Sequence, residues 1–120
     1  MSQPGMTKES KARSIAAQNR RASIRYRCAP ATLGKIISTD DHEMQRAWVL
    51  DLSQKGIGMQ VARPIESGRL VIIAMKSNID AKIFELPAHI VYCNPLAHGE
   101  WHAGCELITP LTPEELEQLL

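Results

Sequence analysis

From Ile24 onward the chain is a succession of short stretches rich in β-branched and aromatic residues, each broken by Gly, Pro, Asn or Asp before it reaches helix length. That punctuation sets a strand count. Ile24, Tyr26 and Cys28 alternate with Arg25 and Arg27, the period-two pattern of a strand with one buried face. Further strands are expected at roughly Leu33 to Ser38, Ala47 to Ser53, Ile57 to Ala62, Leu70 to Lys76, Ile83 to Tyr92 and Trp101 to Ile108. The turns between them fall at TDDHE, SQKG, RPIESG, KSNID and CNPLAHGE. With one convincing helix, at TPEELEQLL, the pattern predicts an all-β fold, a small antiparallel barrel rather than an α/β sheet. In that helix Thr112 caps, Pro113 takes the first helical position and Glu115 completes the capping box.

A chain of 120 residues suits one domain. The longest apolar run, Leu70 to Met75, is too short to span a bilayer, and the N-terminus lacks the apolar core of a secretory signal. A cytoplasmic protein without membrane insertion is expected. Cys28, Cys93 and Cys105 show no framework spacing and read as small buried hydrophobes.

Charge is distributed unevenly. Residues 1–27 hold seven cations (Lys8, Lys11, Arg13, Arg20, Arg21, Arg25, Arg27) against the single acid Glu9, although the whole chain has a formal net charge of only +1. Residues 1–19 are polar and contain Pro4 and Gly5, so they are expected to form a flexible basic arm ahead of a barrel domain at 20–120. The imbalance points to an anionic partner at the basic end.

Two motifs carry chemistry. Arg21 and Arg25 are four apart, which puts them on one side of either an extended or a helical backbone. Guanidinium forks pair bidentately with phosphate oxygens or with the Hoogsteen edge of guanine, and their flat faces stack on bases. On its own, RxxxR is also the spacing of a solvated basic face. The second motif lies in DLSQKGIGM, Asp51 to Met59. Taking Trp48, Leu50 and Leu52 as core-facing, Asp51 and Ser53 are expected to point outward together, and Gly56 to let the chain reverse or a ligand approach. The alternative is a plain hairpin in which Asp and Ser favour the turn.

Taken together, RxxxR at the start of the first strand and DxSxxG between two later strands resemble the PilZ domain family, and the order of strands and helix is similar across Arg20 to Leu120. The resemblance implies a six-stranded β-barrel that binds cyclic di-GMP, with Arg21 and Arg25 contacting guanine and phosphate and Asp51, Ser53 and Gly56 lining the other side of the ligand. Arg20, just before the first motif arginine, implies a stacked nucleotide pair rather than one molecule. A non-enzymatic receptor acting through an unidentified downstream protein follows, with no catalytic residues and no cofactor beyond the ligand.

Rival readings are a small barrel that binds single-stranded nucleic acid and a nucleotide-independent interaction module. Stacking platforms need exposed aromatics, whereas Tyr26, Trp48, Phe84 and Tyr92 are mostly at expected core positions, leaving Trp101 as the exception. Retention of both motifs disfavours the nucleotide-independent module. Cys93, His98, His102 and Cys105 could on paper ligate zinc, but they straddle a loop and two core-facing strands, and no metal is expected.

Overall fold

The computed structural model describes residues 24–28 and 32–120. Its elements in chain order are β1 (Tyr26–Arg27), β2 (Leu33–Ser38), β3 (Met44–Leu52), β4 (Gly56–Val61), β5 (Leu70–Lys76), β6 (Ile83–Pro95), β7 (Trp101–Leu107) and the helix α1 (Pro113–Leu119). Neighbouring strands pair antiparallel in the order β3-β2-β5-β6-β7-β4, and β4 pairs back to β3 to close a six-stranded barrel. β1 lies outside the closed ring, along the edge of β3 just beyond the end of β2, with Tyr26 opposite Leu52 and Arg27 opposite Asp51. Among the described residues, no helix is long and apolar enough to cross a membrane.

Ala47, Val49 and Leu52 of β3, Ile57, Met59 and Val61 of β4, and Val71, Ile73 and Met75 of β5 share one core, by alternation on β4 and β5. Their burial is the main drive for closure. Leu116 and Leu119 of α1 join the same core and Leu120 packs against it. The helix forms as the sequence predicts: Glu115 N–H donates to Thr112 Oγ1 (3.1 Å), and Thr112 N–H donates to Glu115 Oε1 (2.9 Å).

The expected facing of β3 is corrected. Trp48 and Leu50 are not core residues; they are 46% and 37% exposed. The pairing of β3 with β4 shifts register between Val49 and Asp51, a β-bulge in which Leu50 is the extra residue. Val49 and Leu52 therefore both point inward although an odd number of steps separates them. A strict period of two counted back from Leu52 mis-assigns the whole first half of the strand.

Candidate functional site

The site is built on the outside of the barrel wall. Gly56 and Gly58 face outward on β4 because Ile57 and Met59 face in. Gly104 faces outward on β7 between the buried Ala103 and Cys105. Register places Gly58 opposite Gly104 and sets one residue at each side of the pair: Asp51 on β3 and Tyr92 on β6. The row thus reads Asp51, Gly58, Gly104, Tyr92 across four strands. A second register shift, between Ile90 and Tyr92, brings Tyr92 into it. Two bulges at one level of the barrel aim a carboxylate and a phenol ring over a glycine floor, and bulges re-aim side chains in this way next to binding sites.

The glycines are required by close approach. A Cβ on Gly58 would lie 2.7 Å from Asp51 Oδ2, and one on Gly104 would overlap the ring carbons of Tyr92. At Gly56 a Cβ would come within 3.1 Å of an Arg25 guanidinium nitrogen and 2.8 Å of the Cys105 carbonyl oxygen. Arg25 therefore reaches from just before β1 to the β3–β4 hairpin, its guanidinium beside Gly56 of β4 and its Nη1 2.5 Å from Asp51 Oδ1 of β3. Both partners keep substantial exposure, so the pair contributes little to stability and is available for exchange with a ligand.

Ser53 departs from its expected outward position: it is buried. Its Oγ accepts from Gly56 N–H (2.9 Å) and Lys55 N–H (3.3 Å), and Ser53 N–H donates to the Gly56 carbonyl (2.9 Å). The hydroxyl is the internal brace of the β3–β4 hairpin, satisfying donors that the tight turn leaves over. The hairpin is tied further to the C-terminal segment, since Gln54 Nε2 donates to the Leu111 carbonyl and Leu111 N–H donates back to the Gln54 carbonyl. The loop that presents Gly56 is thereby held rigid.

Arg25, Ser53, Lys55, Gly56, Tyr92 and Glu106 are among the residues lining an open cavity of about 460 Å³ in this wall, a size suited to a small-molecule ligand. Two buried thiols feel the Arg25 and Asp51 charges. Burial pushes Cys28 up to about 11, with the Asp51 carboxylate adding to the rise. Burial pushes Cys105 up to about 12, with the Arg25 cation opposing and Cys93 adding.

The structure brings together Arg25, Asp51, Ser53 and Gly56; Arg20 and Arg21 lie outside the described residues, as does the arm expected at residues 1–19. Sequence reasoning missed Gly58, Gly104, Lys55, Tyr92 and Glu106. The outward parity of Gly58 and Gly104 was readable from their buried neighbours, but the bulge that exposes Tyr92 was not. The aromatic expectations change accordingly: Tyr92 and Trp48 are exposed, while Trp101 is partly buried against the core. The four hypothetical zinc ligands separate, with Cys105 in the core and His102 on the outer surface, its ring 5.4 Å from that of Tyr92. Among the described residues no group of three or more His, Cys, Asp or Glu side chains is gathered as a metal would require.

The family model for the PilZ domain matches residues 19–120, and the chain belongs to that family. Its fold is similar to that of the PilZ domain of YcgR from Escherichia coli, solved with c-di-GMP (TM-score 0.64, 16% identity, 82% of this chain and 87% of that one). It is also similar to the Bacillus subtilis inhibitor of motility MotI/DgrA (TM-score 0.63, 15% identity, 83% of this chain and 48% of that one). A third similar structure is the K. pneumonia MrkH–c-di-GMP complex (TM-score 0.61, 10% identity, 82% of this chain and 49% of that one). The chain spans about half the length of the latter two. No curated protein matches it.

Proposed function

We propose that the chain is a non-enzymatic cytoplasmic receptor for cyclic di-GMP, with residues 20–120 as the binding domain and residues 1–19 as a basic arm. The observation that carries this reading is the meeting of Arg25 and Asp51 over the Gly56–Gly58–Gly104 floor, with Tyr92 at its far side. A guanine offers acceptors at N7 and O6 to a guanidinium, and donors at its ring N–H and exocyclic amine to a carboxylate. In this reading the ligand takes over the two halves of the Arg25–Asp51 pair, so neither charge is left unpaired. The glycine floor admits the flat base, Tyr92 stacks on it, and Arg21 joins Arg25 on the phosphates. Arg20 extends this grip to a second stacked nucleotide. Ser53 and Gly56 act by holding the hairpin beneath the ligand. Family membership and neighbours solved with c-di-GMP support the reading.

Single-stranded nucleic acid is less well supported. Tyr92 and Trp48 are three strands apart, with the non-aromatic Gln60 between Trp48 and His102, so they offer no continuous stacking platform.

Calorimetric titration with cyclic di-GMP, with GTP and cyclic di-AMP as controls, tests the proposal. Arg25→Ala removes charge-assisted hydrogen bonds worth about 1.5 to 3 kcal/mol each, so affinity should fall at least about tenfold. The same titration reports stoichiometry: two nucleotides per chain for a stacked pair, one without it. Equal affinity for all three nucleotides would sink the assignment.

A further inference from the structure

The outer face of β2 and β3, around the barrel from the glycine floor, has an arrangement that folding does not explain. Register sets Lys35 directly opposite Arg46, with Leu33 opposite Trp48 on one side and Ile37 opposite Met44 on the other. Two cations thus lie between two apolar rows. Trp48 is 46% exposed and Met44 56%, and Leu50, the bulged residue next to Asp51, is also exposed and extends the apolar row toward the nucleotide site. Like charges directly opposite on paired strands are destabilising. Among the described residues the salt bridges are Arg25–Asp51 and Arg69–Asp41, so neither Lys35 nor Arg46 has a carboxylate to offset that cost.

Charge decides what fits. A second copy docking this face onto itself would set cations against cations. The chain's own residues 1–23 carry five Lys and Arg against one acid, the wrong sign for the same reason. A lipid surface recognises clusters of roughly four to eight basic residues, and this face has two. We propose that the β2–β3 face docks a segment of another protein that presents carboxylates between apolar side chains. The carboxylates pair with Lys35 and Arg46, and the flanking side chains cover Trp48–Leu33 and Met44–Ile37. This deepens the receptor reading by giving the partner's chemistry and rests on it for biological meaning. The surface itself does not depend on the nucleotide.

The test uses the full chain with Trp101→Phe, so that indole emission reports Trp48. The probe is the peptide Ser-Leu-Thr-Glu-Ser-Glu-Thr-Phe-Ser, blocked at both ends, whose extended form sets Leu, two Glu and Phe in that order on one face, with its Glu→Gln counterpart and vesicles of anionic phospholipid as comparisons. The acidic peptide should shift Trp48 emission saturably. Its affinity should fall at least about tenfold with the Gln peptide or with the double variant Lys35→Glu, Arg46→Glu, and it should weaken with salt, as contacts between charges do. Cyclic di-GMP titration of the same double variant should be unchanged, which shows it is folded and separates this proposal from the nucleotide one. Equal binding of the Gln peptide, no Trp48 response in a variant that still binds nucleotide, or a response to vesicles alone each overturns it. So does emission that depends on protein concentration, the signature of self-association.

Discussion

The β4–β7 wall and the β2–β3 wall belong to one barrel and are joined by β3, yet their outer faces are opposites. The first is paved with Gly56, Gly58 and Gly104, and its functional side chains arrive from the flanks. The second carries Trp48, Leu33, Met44, Lys35 and Arg46 directly on its strands. Glycine in a strand interior weakens it, and large apolar groups left in water gain nothing from folding. Each wall therefore departs from what stability favours, in a different direction: one is stripped of side chains at its centre, the other carries large apolar groups and cations exposed to solvent. β3 serves both because the bulge at Leu50 resets its facing partway along.

Substitutions along β3 probe this contrast most strongly. Leu52 is fully buried beneath both walls, so Leu52→Ala should cost about 2 to 5 kcal/mol in urea unfolding. Trp48→Ala, four residues earlier on the same strand, should change stability by less than about 1 kcal/mol despite the larger side chain, as expected of an exposed position. Comparable losses from the two would show that Trp48 supports the fold and that the walls are not distinct.

A smaller effect is expected at the glycine floor. Gly104→Ala forces the Tyr92 ring aside, and because that ring is exposed it can move at little cost to the fold. Affinity for cyclic di-GMP should drop about tenfold, near 1.4 kcal/mol, with the unfolding midpoint unchanged or slightly raised, since alanine suits a strand interior better than glycine. Full affinity in this variant would remove Tyr92 from the ligand's surroundings.

The smallest effect is one of pH. Cys28 and Cys105 have folded pKa values near 11 and 12, above the ordinary thiol value of 9.0, so the unfolded chain ionises first. Stability from these thiols is complete below pH 9 and is lost as pH rises through the folded values. Urea midpoints at rising alkaline pH should fall less steeply in Cys105→Ala than in the parent chain. Parallel curves would mean that the thiol beneath the site is not shielded from solvent.

Several parts of this molecule are local enough to read in one dimension. The Thr112–Glu115 box depends on a three-residue spacing, and α1 forms where it predicts. β2 and β5 match their expected spans because each is a short stretch with paired isoleucines bounded by turn residues. Arg25, Asp51, Ser53 and Gly56 were legible as motif members, although Ser53 turned out to be buried as a brace rather than set outward at the rim. Tyr92, Gly58 and Gly104 belong to no contiguous pattern. They meet because β4, β6 and β7 are neighbours in the closed sheet.

The sequence by itself therefore determined the strand-rich class, the terminal helix and the two motifs with their residue types, since composition, short spacings and period-two alternation depend on neighbours in the chain. Only the tertiary structure decided which way Trp48, Leu50 and Tyr92 face and what lies beside Asp51. A bulge arises from how two strands pair, and one extra residue reverses the facing of everything beyond it.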